Sequence, residues 1–286
     1  MIKLPTAIVP AITDWTAYKW LLMGDQGIGK SGFLASIPDY LLVDPAAEML
    51  GYPGLKVTLT GWQDCLDLLN QLARSKGAGF KGLALDCLNV IYDHCAAHVI
   101  SELRIKHPSD LAHGTGWTKI TTEFVSWLRN MMLLGLHTVA TCHTTITEVK
   151  VKNVTYNRWI PAFVGGGPNS TFAYVQKMFD IVGFMTFEEV SAPPTSKKSG
   201  TTTVDLRADV TDLLTETRVV HFAPSTYWTA QDTSGQLPDK VFLTDDWRQD
   251  WPLVTAAWGT GDRAHRLAEE PVHTEGLEVP VNDNKK

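Results

Sequence analysis

Apolar residues along this chain fall into short continuous runs that alternate with stretches of helical period. "AYKWLLM" (17–23) is an apolar run stopped by Gly24, the pattern of a strand buried on both faces. "KSGFLASI", from Lys30, reads as a helix ending before Pro38, and "YLLVD" (40–44) as a second buried strand that closes on an acid. "GWQDCLDLLNQLARSKG" (61–77) carries its aliphatic residues at helical spacing, with Gly77 as a stop signal. "GLALD" predicts a third strand ending on Asp86, followed by a long helix over "CLNVIYDHCAAHVISELRI". After the polar loop "KHPSDLAHGTGW" (106–117), the amphipathic helix "TKITTEFVSWLRNMMLLG" (118–135) delivers a fourth strand, "LHTVATCH" (136–143), with His143 at its carboxyl end.

From there to about residue 170 the chain is polar, glycine-rich and aperiodic, and no single regular element is expected. "KMFDIVGFMTFEEV" (177–190) is a fifth strand region, and "SAPPTSKKSGTTT" (191–203) a surface loop. "RVVHFA", "TYWTAQDTSGQLPDKVFL" and "DDWRQDWPLVTAAW" predict edge strands or hairpins and then a short helix. Periodicity and hydrophobic content both fall away from Gly259, so 1–258 reads as one domain and 259–286 as a disordered tail. Strands that alternate with helices require an α/β fold with a mostly parallel central sheet flanked by helices.

Composition narrows the class without choosing a function. The 286 residues are 44% hydrophobic, enough for a sizeable core. No apolar stretch reaches 18 residues, and prolines interrupt the N-terminal segment, so a soluble cytoplasmic protein without a membrane partner is expected. Cys65, Cys87, Cys95 and Cys142 form no CxxC pair, which argues against a zinc site or a disulfide framework. With a net charge of −6, any contact with nucleic acid has to run through local patches.

The chemistry begins at "GDQGIGKS" (24–31), a G-x-x-x-x-G-K-S phosphate-binding loop between a strand and a helix. Across Gly24, Asp25, Gln26, Gly27, Ile28 and Gly29 the glycines let backbone N–H groups curl around a β-phosphate. Lys30 then reaches the β- and γ-phosphates, and Ser31 ligates Mg²⁺. A metal–triphosphate site also needs an acid on a neighbouring strand, which Asp86 supplies; its other reading is a cap on the helix that follows. Hydrolysis needs a group that orients water, and Asp44 and Glu48 in "LLVDPAAEM" are the candidates, each equally readable as a loop acid. His143, at the carboxyl edge of its strand, is placed to sense a γ-phosphate or to be structural. "KVKNVTYNRW" (150–159) interleaves Lys150, Lys152 and Arg158 with Tyr156 and Trp159, a combination suited to single-stranded nucleic acid and equally found on solvated hairpins. "HPSDLAHGTGW" is a second candidate surface.

Taken in order, "LLMGDQGIGKSGFLASIP", "LLVD", "GLALDCLNVIYD", "HGTGW", "TVATCHT" and "YWTAQDTSGQLP" resemble the RecA-like ATPases of bacteriophages, particularly the Sak-type single-strand annealing proteins, over about residues 17–247. The resemblance implies a RecA-like P-loop NTPase core that binds ATP and Mg²⁺ between subunits, assembles as a ring or filament, and acts on single-stranded DNA in recombination inside the infected host, with a single-strand DNA-binding protein as a further partner. It assigns Lys30 and Ser31 to the nucleotide, Asp86 to the metal and His143 to sensing. Two positions depart from the pattern. Ala46 stands where the family carries a glutamate, so Glu48 would have to substitute from two residues on. Gln231 and Thr233 flank Asp232 where the family has lysine and arginine, which implies weak hydrolysis or a different trans-acting arginine, Arg207 or Arg218.

Two other classes compete. A nucleotide-gated module such as a helicase loader would act through protein contacts with negligible turnover, and the two departures favour it, but a loader of the AAA+ type should carry a helical lid with an arginine sensor, whereas the segment after residue 200 reads as strands and turns. A small-molecule kinase would need an arginine-rich lid, where the long loop offers only Arg158.

Overall fold

The computed structural model describes residues 12–152, 154–163, 170–191 and 214–261. In chain order the elements are β1 (Trp20–Gly24), α1 (Lys30–Ala35), β2 (Tyr40–Asp44), β3 (Leu55–Thr58), α2 (Trp62–Arg74), β4 (Gly82–Leu85), α3 (Leu88–Glu102), α4 (Thr115–Met132), β5 (His137–Val151), β6 (Val154–Pro161), α5 (Thr171–Gln176), β7 (Ile181–Ser191), β8 (Leu214–His221), β9 (Gln231–Asp232), β10 (Lys240–Phe242) and α6 (Asp250–Ala256). Among the described residues ten strands form one sheet, with the order β10-β8-β7-β1-β5-β4-β2-β3; β6 adds to β5 and β9 to β7. The pairings from β7 across to β3 are parallel, and β8 and β10 extend the sheet antiparallel. This is the expected α/β architecture, the P-loop NTPase arrangement of a RecA-like core with C-terminal edge strands.

The continuous apolar runs have their cause in this layering, because a central parallel strand is covered on both faces. All five residues of β1 are buried. Leu21 and Met23 pack with α2, α3 and α4 on one face, while Trp20 and Leu22 pack with α1 and α6 on the other. On α2 the inward positions are Trp62, Cys65, Leu68 and Leu72, the stripe that helical spacing predicts. No described helix is long and apolar enough to cross a membrane.

Three expectations change. The segment after His143 is not aperiodic: β5 runs on to Val151 and β6 returns antiparallel beside it. Thr144, Thr145, Ile146, Thr147 and Val149 supply the β-branched residues a strand favours, without the apolar run that marks a buried one. The short edge strand β3 has exposed residues at three of its four positions and so leaves no hydrophobic signature. The 106–117 loop contains two single helical turns, and α4 already starts at Thr115. The proposed loop at 191–203 and tail at 259–286 lie almost wholly outside the described residues.

Where β5 enters the sheet, His137 is buried against Trp15 and Trp251, and Tyr40 Oη hydrogen-bonds its Nδ1. Burial lowers its pKa to about 4. The unfolded imidazole takes up its proton near pH 6.5, so the stability contributed by neutral His137 is complete above that pH and is lost progressively as pH falls towards 4, by about 3 kcal/mol in full. Denaturant unfolding of the parent and of His137→Gln at pH 7 and pH 4.5 should show a markedly smaller pH-dependent loss for the variant.

Candidate functional site

The phosphate loop leaves β1 at the carboxyl edge of the sheet and enters α1. Gly27 and Gly29 have φ of +83° and +99°, a region L-residues rarely occupy, so the backbone curl depends on both. Buried Ile28 anchors the loop in the core, while Asp25, Gln26 and Gly27 stay exposed. Lys30 is 5% exposed, and its Nζ donates to the carbonyls of Gly24 and Asp25 at 2.9 and 2.7 Å. Burial lowers the pKa of Lys30, an effect opposed by nearby Cys142, Asp86, Cys87 and Asp25. The ammonium is therefore poorly solvated and bonded to neutral carbonyls, a state that an incoming phosphate anion relieves.

A cavity of about 140 Å³ lies over the loop. Its wall brings together Lys30, Ser31, Asp86, Glu48 and His143, with Ala46 and Tyr52 beside them. Sheet register explains the meeting: Gly24 of β1 is paired with His143 of β5, and Leu85 of β4 with Ala140, so the next residues, Asp86 and Thr141, are neighbours. Thr141 Oγ1 donates to Asp86 Oδ1 at 2.5 Å, and the other carboxylate oxygen has no protein donor among the described residues. The Ser31 hydroxyl and the Asp86 carboxylate both border the cavity and are hard oxygen donors that fit Mg²⁺, whose other positions water and phosphate would fill.

The two candidate bases separate clearly. Asp44 is buried and turned into its own loop: Oδ1 accepts from the Glu48 amide at 3.0 Å and Oδ2 from the Met49 amide at 2.9 Å. It does not line the cavity; it holds the turn that presents Glu48, which is exposed and does. Of the two carboxylates, Asp44 is thus occupied by its own loop amides, and Glu48 is the one at the cavity. His94 Nε2 contacts the Pro45 carbonyl at 3.2 Å and braces the same turn from α3.

His143 sits at the junction of the site with the β5–β6 hairpin. Burial and Lys30 lower its pKa, against Asp86 and Glu48, which favours the neutral imidazole, and its buried Nδ1 has no hydrogen-bond partner among the described residues. Its backbone N–H donates to Asn89 Oδ1 at 2.7 Å, and Asn89 Nδ2 donates to the Ala162 carbonyl at 2.9 Å. Thr144 Oγ1 donates to Asp25 Oδ1 at 2.9 Å, tying β5 to the phosphate loop. Sequence reasoning missed Asn89, Thr141 and Thr144, although polar residues interrupting an apolar strand end in "TVATCHTT" were a usable signal.

The nucleic-acid candidates are only partly brought together. By the β5–β6 register, Lys150 shares a face with Ile146 and Trp159, while Tyr156 and Arg158 share the other with Thr147 and Val149. Trp159 packs against Phe184 and its backbone N–H donates to the Tyr227 carbonyl, and Arg158 is half-buried and donates to Thr229 Oγ1 at 3.3 Å. Both residues are half-buried and sit at the base of the hairpin. Lys150 and Lys152 are exposed, and Tyr156 stands edge-on to exposed Tyr227. In the second candidate surface Gly116 is packed against Pro108 and Trp117 against His107, which makes that stretch a compact lead into α4.

The departures are also placed. Gln231 pairs with Val182 and Asp232 with Ile181 at the start of β7, the end of the sheet away from the phosphate loop. Arg207 lies outside the described residues. Arg218 is engaged within its own chain by Asp250.

A family model described as an AAA domain matches residues 16–234. No curated protein compared with the chain matches it.

Removing the Asp44 carboxylate strands two backbone amides. Asp44→Ala should therefore cost about 2 kcal/mol of stability, read as a lower urea midpoint, whereas Glu48→Gln at an exposed position should stay within about 0.5 kcal/mol of the parent.

Proposed function

Because the chain belongs to the AAA domain family of P-loop ATPases, we propose that it is an ATP-dependent protein that acts on single-stranded DNA in phage recombination or annealing. One observation carries the reading: a single strand, β5, bears His143 in the nucleotide cavity and Lys150 on the hairpin beyond it. The resemblance to Sak-type annealing proteins supplies the recombination setting and the expected oligomeric and single-strand DNA-binding protein partners.

Lys30 neutralises the β- and γ-phosphates, and the loop N–H groups orient them. Ser31 and Asp86 would hold Mg²⁺, which supplies charge neutralisation on the phosphoryl group. Glu48 stands where a residue orienting the attacking water is needed, and neutral His143 hydrogen-bonds the terminal phosphate region. A cavity of about 140 Å³ is smaller than the ~300 Å³ or more of a typical small-molecule pocket, so it suits the phosphates and leaves the nucleoside to be covered by a second copy in a ring or filament. Ala46 in the cavity wall, with Glu48 two residues on, favours slow turnover and gives the second reading its support: a nucleotide-gated helicase loader acting through protein contacts.

ATP turnover and single-stranded DNA binding, measured together, test the proposal. The parent should bind DNA more tightly with ATP and hydrolyse faster with DNA, and Lys30→Ala should lose both; a parent that does neither rules the DNA reading out. Lys150→Glu combined with Lys152→Glu should weaken DNA binding at unchanged nucleotide affinity and lower the slope of log affinity against log salt by roughly 1.4, the value for two lost phosphate contacts on a single strand.

A further inference from the structure

Arg218 lies on β8, opposite Phe187 of β7, with its side chain 12% exposed. Nη1 and Nη2 make a bidentate pair with Asp250 at 2.8 and 2.9 Å, and Nη2 also donates to the Thr244 carbonyl. The guanidinium rests on the phosphate loop: a Cβ at Gly29 would lie 2.6 Å from Nη1 and 3.5 Å from Cζ. Gly29 is thus doubly constrained, by its φ of +99° and by the cation above it, and the next residue is Lys30.

The acid that fixes the cation is fully buried at the start of α6, beyond the residues matched to the family. That helix packs on α1, where the Trp251 backbone N–H donates to Ser36 Oγ at 3.0 Å and the Trp251 ring stands edge-on to Phe33. Trp247, just before it, covers Gly32 in the first turn of α1. A buried ion pair adds little net stability over an apolar replacement, because desolvation offsets attraction, but it fixes geometry closely. Here the fixed groups are the phosphate loop and the helix behind it.

We propose that Arg218 is a positioning residue for the nucleotide, holding Gly29 and hence the Lys30 end of the phosphate loop in binding shape, and that Asp250 acts through it to couple α6 to nucleotide occupancy. The inference rests on the nucleotide-binding reading above. Coupling is reciprocal: if the pair tunes ATP affinity, ATP must in turn steady α6.

The test uses the full chain with Arg218→Met, Asp250→Asn and the double variant, each checked for folding by circular dichroism. Calorimetric titration with Mg-ATP and with Mg-tripolyphosphate should show about a tenfold or greater loss for Arg218→Met with either ligand, since Gly29 serves the phosphates and not the base. Asp250→Asn should fall in the same direction, and the double variant should be no worse than Arg218→Met alone. Hydrogen exchange should show ATP protecting the amides of residues 251 and 253–256 in the parent and not in Arg218→Met. Variants that melt earlier but bind both ligands as the parent does would overturn the proposal, leaving the pair merely structural. Should Arg218→Met fail to fold, Asp250→Asn alone decides by the same readouts. A parent that binds neither ligand overturns the nucleotide reading itself and this inference with it.

Discussion

Parallel pairing at the centre of the sheet is the constraint on which the site depends. Because β1, β4, β5 and β2 all run the same way, their carboxyl ends deliver Gly24, Asp86, His143 and Asp44 to one edge. Residues up to 119 positions apart in sequence, such as Asp25 and Thr144, then meet through short side-chain bonds. The cost of such a sheet is that every central strand must be apolar on both faces, which leaves the strand ends as the places where polar chemistry is tolerated.

Electrostatics divides the work at that edge. One ammonium is buried on carbonyls, one carboxylate keeps an oxygen free beside a threonine hydroxyl, and a neutral imidazole stands between them and the hairpin. Asp44 and Asp250 are acids of another kind, both buried and both committed to protein partners. Each stands one step behind a residue that faces the site, Glu48 in the first case and the Arg218–Gly29 contact in the second.

Much of this was legible in the chain. The phosphate loop, Asp86 and His143 could be read because each follows an apolar run whose direction is fixed by the next helix. Glu48 and Asp44 could be found but not told apart, since only the turn geometry shows which carboxylate folds back on its own amides. The hairpin was readable only as one of two alternatives because its strands are polar, and the division of the basic and aromatic residues between its two faces follows from strand register, which even spacing in the sequence does not reveal. Asn89, Thr141 and the Arg218–Asp250 pair depend on contacts between distant elements, for which local pattern carries no signal.

The length of β5 has a mechanical consequence. From His143 to Val151 the strand advances eight residues, which at the usual strand rise is about 26 Å. Asn89 and Thr144 grip it at its root, next to the cavity-lining His143, so the ribbon is a lever with its pivot at the cavity wall. A tilt of about 5° at the pivot would carry the exposed lysines at the far end through roughly 2 Å, enough to make or break a hydrogen bond.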